Sequence, residues 1–358
     1  MRRARWLASW KNSPDRPVIY HCISRVVDRR FVLGDEEREC FRMFMRIQEN
    51  FSGCRVLSYC IMSNHFHLLL EVPPMPEGGF SDDELLKRIS TLYSEAKVAE
   101  VAAELKMARE FGYDKWIADI HGCYTYRMHD LSEFMKTLLQ RFTCWFNRTH
   151  DRTGTLWEQR YKSVIVQDGE ASKTMAAYID LNPVRAGMVE DPADYRWSSY
   201  GEAIGGGIKG NGKKARAGLV RALRAHKGVE VDASLWANDV SHEYRELLMD
   251  GAMEKTEQRV SRRGRQEARV TRKGIRKSLA EHENQRDREM SMSRMLRCRV
   301  RYFTDGAVIG SRAFVNEVFV SARERFGPKR RDGARRMRGD AAAAAEKLWS
   351  IRDLRVGI

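Results

Sequence analysis

Short apolar runs and one amphipathic segment alternate along the first 72 residues. Residues 18–26 form an apolar run that predicts a first strand, and residues 35–51 place apolar side chains among charged ones, which predicts a helix. Two further apolar runs, 55–62 and 65–72, are separated by only a Ser-Asn pair, which is typical of a β-hairpin. The chain is therefore expected to begin with a strand, a helix and two antiparallel strands.

The pattern changes in residues 77–128, which look like an insertion. Residues 81–111 are charged and rich in alanine, which predicts helix, whereas residues 113–127 are expected to be irregular. A helix over residues 131–150 and a strand over residues 161–166 are predicted to follow.

A further helix is expected from Glu170 to about Leu181, with Asp168 as its N-cap. Pro183 disfavours helical backbone at Asn182, so the helix is expected to end there.

The glycine- and lysine-rich stretch 201–215 is the best candidate for a domain boundary. It divides the chain into a first domain, residues 1–204, and a C-terminal region, residues 205–358. That region is expected to be mostly helical, with helices over residues 217–224, 241–253, 291–302, 311–326 and 340–354. The pair at 291–326 is separated by a turn, so it fits either a helix-turn-helix-like DNA-binding unit or a helical dimerisation or packing module.

Charge is distributed unevenly between these two parts. Basic and acidic residues balance in the first 200 residues, so the whole formal net charge of +15 lies in the rest of the chain. Residues 259–277 are the most basic stretch. Such an asymmetry indicates an appendage that binds a polyanion, or else a solvated tail.

Composition excludes several classes of protein. No apolar stretch is long enough for a membrane helix, and the N-terminus lacks the apolar run of a signal peptide, so we expect no membrane partner and a cytoplasmic, nucleoid-associated location. The seven cysteines contain no CxxC pair, which argues against a zinc knuckle and for reduced thiols.

The sequence His65-Phe66-His67 is the first candidate for chemistry. Because side chains alternate along a strand, both imidazoles project from one face and Phe66 from the other. Two neutral imidazoles one pleat apart can hold a divalent cation, although two histidines satisfied within a core would give the same pattern.

Tyr178 and Asn182 are the second candidates. On a helix they are separated by one turn and share a face. A phenol becomes a nucleophile when its proton is removed or its anion is stabilised, and Asn182 can add an oxygen ligand beside the two histidines. A packing role for Tyr178 is the alternative.

Three segments, in order, carry a resemblance to a known family: YCIMSNHFHLLLEV (59–72), FNRTHDRTGTLWEQRYKSVIV (146–166) and YIDLNPVRAGMVEDPADYRWSSY (178–200). They resemble the single-tyrosine transposases of the HUH class, especially the REP-associated tyrosine transposases. The resemblance covers roughly residues 15–200 and implies an α+β fold, a ferredoxin-like or RRM-like sandwich with an antiparallel sheet.

The resemblance also implies a reaction. Mg²⁺ or Mn²⁺ would be bound by His65, His67 and Asn182, and Tyr178 would attack a phosphate of single-stranded DNA beside a hairpin. A 5′-phosphotyrosine would form, and its reversal with another 3′-OH would transfer the strand. The enzyme is therefore expected to be a transposase, that is, a DNA nuclease and strand transferase.

Residues between the predicted helix and strand mix an aromatic ring with cations, as single-stranded DNA sites do. Trp157, Arg160 and Lys162 are the candidates for DNA contacts, with core packing as the alternative for Trp157.

Two departures from the family pattern are the insertion 77–128 and the region after residue 205. Within that region, residues 301–319 resemble the C-terminal extension of some longer relatives.

Two other functions remain open: a nucleic-acid-binding protein that has lost cleavage, and a metal-dependent hydrolase that uses water. A homodimer is also left open.

Overall fold

The computed structural model describes residues 5–206, 212–224, 233–236, 238–252, 255–260, 266–272, 301–304, 306–336 and 348–351. The first part follows the predicted order: β1 (Val18–Arg25), α1 (Asp35–Ser52), β2 (Arg55–Ile61) and β3 (His65–Val72). Helix α5 (Leu131–Thr149), strand β4 (Lys162–Val166) and helix α6 (Glu170–Asp180) continue it. The predicted α+β class is confirmed.

The main sheet of the described residues has the strand order β2-β3-β1-β4-β7-β9-β8. Strands β1 to β4 pair antiparallel, with His67 of β3 opposite Ile23 of β1. Its last three strands come from the C-terminal part: β7 (Val308–Gly310), β8 (Arg335–Arg336) and β9 (Trp349–Ile351). Strand β7 pairs parallel to β4, so the sheet is mixed at this point.

Each face of the sheet is covered by helices. On one face Phe66 packs against Phe41 of α1, with ring centroids 4.6 Å apart, and Phe41 packs against Phe142 of α5. On the other face lie α6 and α9 (Lys213–Leu223), and α9 approaches so closely that a Cβ on Gly218 would lie 2.3 Å from the carbonyl oxygen of Val56. The alternation predicted for β3 is therefore present, and it points both histidines away from the Phe66 face.

The insertion forms a small helical unit with its own core. Its helices are α2 (Asp82–Ile89), α3 (Glu95–Glu110) and α4 (Asp114–Thr125). They bury a separate apolar cluster that includes Leu85, Val101 and Ile120. The expectation of irregular structure over residues 113–127 was wrong, because Ile117, Ile120 and Tyr124 of α4 face this cluster.

The end of the Tyr178 helix agrees only partly with the sequence. Helix α6 ends at Asp180, and Pro183 lies in the first turn of a separate short helix, α7 (Asn182–Ala186). The expected N-cap was wrong: Gly169 holds the N-cap position, and the Asp168 carboxylate instead accepts hydrogen bonds from Arg221. Helix α8 (Ser199–Gly205) follows.

Residues after 205 share the core and the sheet of the first part. Helix α10 (Asn238–Ala252) and α9 were predicted approximately. Strands β5 (Lys255–Val260) and β6 (Gln266–Arg272), which overlap the basic stretch 259–277, form a separate two-stranded antiparallel sheet. Within residues 301–304 and 306–321 lie a short helix α11 (Arg301–Thr304), strand β7 and helix α12 (Arg312–Ser321).

Two C-terminal expectations fall partly outside the described residues. A strand, β7, lies between α11 and α12 in addition to the turn expected there. Residues 291–300 lie outside the described residues, so the helix-turn-helix alternative stays a prediction. The helix expected over 340–354 was wrong at 349–351, where the chain adds β9 to the sheet, and residues 340–347 lie outside the described residues. In the part of the chain that the structure describes, no helix is both long and apolar enough to cross a membrane.

Candidate active site

The two histidines of β3 lie on the face of the sheet that α6 covers. Their ring centroids are 5.1 Å apart. Burial, together with the nearby cation of Arg25, lowers the pKa of His65 to about 4. Burial lowers the pKa of His67 well below its ordinary value, with smaller contributions from His65 and His21. Both imidazoles are therefore neutral at pH 7, which is the form that binds a metal ion.

A third histidine, His21 on the neighbouring strand β1, completes a buried group. Its Nε2 lies 3.0 Å from Nδ1 of His67, and its Nδ1 lies 2.9 Å from the carbonyl oxygen of Phe303 in α11. Burial lowers the pKa of His21 to about 4. Sequence reasoning missed His21 because it is alone in an apolar strand, where a histidine gives no spacing signal.

Helix α6 places the ring of Tyr178 against this group. Its centroid lies 5.9 Å from that of His67 and 6.1 Å from that of His21, with the imidazole planes at 87° and 77° to the phenol ring. The ring of Phe303 stacks on the same tyrosine at 4.5 Å. The guanidinium carbon of Arg185 lies 5.0 Å from the centre of the ring. Residues widely separated in sequence thus surround Tyr178, which is only 1% exposed.

Asn182 lies one turn after Tyr178, as predicted, at the junction of α6 and α7. Its Nδ2 donates hydrogen bonds to the carbonyl oxygens of Tyr178 and Ile179, at 3.0 and 3.2 Å. Arg185 also donates to the Tyr178 carbonyl, at 3.3 Å. These bonds satisfy carbonyls at the end of α6 and leave the side-chain oxygen of Asn182 as the atom suited to a cation.

The donor chemistry of these residues fits a divalent cation. Two neutral imidazole nitrogens and one amide oxygen are ligands that Mn²⁺ and Mg²⁺ accept, with water completing the shell. Among the described residues, no group of three or more His, Cys, Asp and Glu side chains has the arrangement of a metal site. A site here therefore depends on an amide or water oxygen in addition to His65 and His67.

The candidate DNA-contact residues do not share one environment. Trp157 is buried: its ring packs on Phe66 and its Nε1 donates to Oγ1 of Thr143, at 3.0 Å. This burial favours the core-packing alternative for Trp157. Arg160 and Lys162 are exposed at the start of β4.

A cationic loop that the sequence analysis missed lies beside His65. The loop comprises residues 25–31, and Arg25, Arg29, Arg30 and Phe31 are exposed, Phe31 to 80%. Asp28 and Arg29 both have positive φ angles, of 56°, which is uncommon for residues other than glycine. The loop is tied to the site because Asn64 donates to the Arg29 carbonyl, at 3.0 Å, and accepts from Nδ1 of His65, at 2.6 Å. In the sequence, the adjacent residues Arg29, Arg30 and Phe31 were the signal that could have revealed this loop.

Comparison with known proteins supports the resemblance for one segment. The family model described as "Transposase IS200 like" matches residues 16–78, which contain β1, α1 and the His65–His67 strand. Residues 146–166 and 178–200 lie outside this match. Among curated proteins, none matches the sequence significantly. A solved structure of a REP-associated tyrosine transposase bound to a REP hairpin is similar with a TM-score of 0.37 and 12% identity, over 59% of this chain and 89% of that one.

Proposed function

We propose that this protein cleaves and rejoins single-stranded DNA as a single-tyrosine transposase, with Tyr178 as the nucleophile. The observation that carries the proposal is the meeting of the Tyr178 ring and the His67 ring, 5.9 Å apart, although they come from a helix and a strand more than a hundred residues apart in sequence. The match of residues 16–78 to IS200-like transposases supports it independently.

The reaction exchanges one phosphodiester for another. The phenol oxygen of Tyr178 attacks the scissile phosphorus, the bond from phosphorus to the 3′ oxygen breaks, and a 5′-phosphotyrosine remains. The phenol loses its proton and the leaving 3′ oxygen gains one. Attack by another 3′-OH reverses these steps and transfers the strand, so no nucleotide cofactor is consumed.

We assign His65, His67 and Asn182 to a divalent cation, Mg²⁺ or Mn²⁺. When bound there, such a cation would polarise the phosphate and stabilise the charge that develops on it. Arg185, beside the Tyr178 ring, supplies a fixed positive charge near the same place. That charge would favour a bound phosphate.

We assign DNA contacts to the loop 25–31, with Arg160 and Lys162 as further phosphate contacts. Exposed arginines neutralise phosphates, and an exposed phenylalanine provides a face on which a base can stack. The substrate class we propose is single-stranded DNA next to a hairpin, in keeping with the sequence resemblance.

One observation favours the alternative of binding without cleavage. Tyr178 is almost fully buried, so a phosphate reaches its hydroxyl only after the surroundings of Tyr178 move. The hydrolase alternative differs in another way, because water would replace Tyr178 and no covalent intermediate would form.

A covalent-trapping assay separates the three functions. End-labelled single-stranded hairpin DNA from the flanks of the protein's own gene is incubated with the protein and Mn²⁺ or Mg²⁺, then run on a denaturing gel. We expect a labelled protein band that a chelator and Tyr178→Phe both abolish. The matched control, Tyr161→Phe, changes a buried tyrosine outside the site and should keep the band. Cleavage without a protein band would support the hydrolase, and binding without cleavage would support the silent protein.

A further inference from the structure

Each histidine of the pair is hydrogen-bonded through Nδ1, and each bond leads to a backbone carbonyl. His67 is bonded to His21, which is bonded to the carbonyl oxygen of Phe303. His65 is bonded to Asn64, which is bonded to the carbonyl oxygen of Arg29. These two hydrogen-bond chains begin at carbonyls in different parts of the fold and end on the two candidate ligands, His67 and His65.

The direction of the first chain follows from its end. A carbonyl oxygen only accepts, so Nδ1 of His21 must carry a proton and donate to Phe303. His21 is fully buried, where an unpaired charge is costly, so its ring carries one proton and its Nε2 carries a lone pair. Nδ1 of His67, 3.0 Å away, must then be the donor, and the neutral ring keeps its lone pair on Nε2.

The second chain reaches the same result through an amide. Asn64 donates its Nδ2 to the Arg29 carbonyl, which fixes Oδ1 as the end that faces His65. Oδ1 only accepts, so Nδ1 of His65 carries the proton and Nε2 carries the lone pair. This carbonyl belongs to a segment in which Asp28 and Arg29 both take the left-handed conformation.

We propose that His21 and Asn64 are positioning residues that hold His67 and His65 in the tautomer with a free Nε2 lone pair, ready to bind a divalent cation. This inference rests on the proposed function, because it assigns a purpose to the site of that reaction. The inference also gives a purpose to the segment containing Phe303, which lies far outside the region matched by the family model. The backbone carbonyl of Phe303 accepts the hydrogen bond that fixes the proton positions on His21 and, through His21, on His67. Partners of this kind fix the tautomer and orientation of ligating histidines, and their loss typically costs 10- to 100-fold in metal affinity.

The tautomers can be measured without metal, DNA or substitution. Full-length protein labelled with ¹⁵N at histidine is examined by two-bond ¹H–¹⁵N correlation, which distinguishes a protonated ring nitrogen from one with a lone pair. We expect protonated Nδ1 and unprotonated Nε2 for His21, His65 and His67. A protonated Nε2 on His67 or His65 would overturn the inference.

Substitutions then test whether His21 and Asn64 cause this state. His21→Leu removes the acceptor, and we expect the single tautomer of His67 to be lost and Mn²⁺ affinity, measured by electron paramagnetic resonance, to fall roughly 10- to 100-fold. His21→Gln keeps one acceptor and one donor, and should stay within about threefold of the wild type. Asn64→Leu should likewise remove the single tautomer of His65 and lower Mn²⁺ affinity. Asn64 lies in a half-buried turn, so this substitution should disturb the fold less than a substitution at the buried His21.

Phe303→Leu is the matched control, because it removes the aromatic ring and keeps the backbone carbonyl. We expect it to leave the tautomer of His67 unchanged. Unchanged Mn²⁺ affinity and tautomers in both His21→Leu and Asn64→Leu would overturn the proposal. The proposed function fails separately, by the absence of a Tyr178 adduct, since none of these measurements involves DNA.

Discussion

The ring of Phe303 lies nearly parallel to the ring of Tyr178, with centroids 4.5 Å apart and planes at 13°. Phe303 is itself 1% exposed, so the two rings bury each other. The C-terminal part of the chain therefore covers the proposed nucleophile directly. DNA can reach the phenol only if the surroundings of Tyr178 open, and we expect movement of α11 to contribute to that opening.

Removing the ring of Phe303 should expose Tyr178. We expect Phe303→Ala to raise the rate of nitration at Tyr178 severalfold, measured by peptide mass spectrometry, with a loss of about 3–5 kcal/mol in the free energy of unfolding. Phe303→Leu should give a smaller increase, because it keeps most of the apolar volume. Nitration at exposed Tyr126 serves as the internal reference. Equal nitration of Tyr178 in all three proteins would show that Phe303 does not control access.

A buried ion pair connects α9 to β3. Arg221 and Glu71 are 2% and 1% exposed and 2.6 Å apart, and Arg221 also binds Asp168. Arg221→Met leaves the Glu71 carboxylate buried without this partner, and we expect a loss of about 3–5 kcal/mol in urea unfolding. Arg224→Met, which removes a half-exposed pair with Glu243, should cost less than about 1 kcal/mol. Similar losses in both variants would contradict this account.

The same pair bears on the boundary expected near residue 204. Truncation after residue 205 removes Arg221, Phe303 and strand β7 together, and so removes buried partners of Glu71, His21 and Ile165. We expect the truncated protein to unfold at lower temperature than the full chain. An unchanged melting temperature would show that residues 1–204 are stable alone.

The buried histidines predict a loss of stability in acid. The pKa of His21 and of His65 is lowered from 6.5 to about 4, chiefly by burial. Between these two pH values the unfolded chain binds protons at both histidines and the folded protein does not. Their contribution is complete above about pH 6.5 and is lost as the pH falls from there towards 4. Urea unfolding at several pH values should show this slope, and His21→Gln should make it shallower. An equal slope in His21→Gln would contradict the assignment to His21.

The cationic loop should contribute to DNA affinity. We expect Arg29→Ala with Arg30→Ala to weaken binding of single-stranded DNA and to reduce the salt dependence by one to two phosphate contacts, roughly 0.7 per contact. Phe31→Ala should cost about 1–3 kcal/mol if a base stacks there. Lys106→Ala, an exposed cation on the insertion, is the control and should have little effect. Unchanged salt dependence in the double variant would exclude the loop as a DNA contact.

Much of the site was predictable because its signals are local. Alternation in HFHLLLEV places both histidines on one face, and the structure shows this. The spacing from Tyr178 to Asn182 brings the two residues into contact, because Asn182 donates to the Tyr178 carbonyl, although Asn182 begins a separate short helix. The spacing of Ile117, Ile120 and Tyr124 could likewise have revealed α4.

What the sequence could not predict depends on contacts between distant segments. Nothing near Phe303 indicates that its carbonyl meets His21, 282 residues earlier. The strand over 349–351 is set by pairing with β7, whereas the preceding alanines favour helix locally. Trp157 had the composition of a DNA contact, but its burial is decided by Phe41, Phe66 and Phe142 from other elements.

The most direct test of the central claim is to identify the residue that becomes joined to DNA. The trapped complex is digested with nuclease and protease, and the peptide that carries a 5′-linked nucleotide is sequenced by mass spectrometry. The account predicts that Tyr178, among the twelve tyrosines of the chain, carries the phosphodiester. A nucleotide on any other residue, or cleaved DNA with no modified peptide, would contradict it.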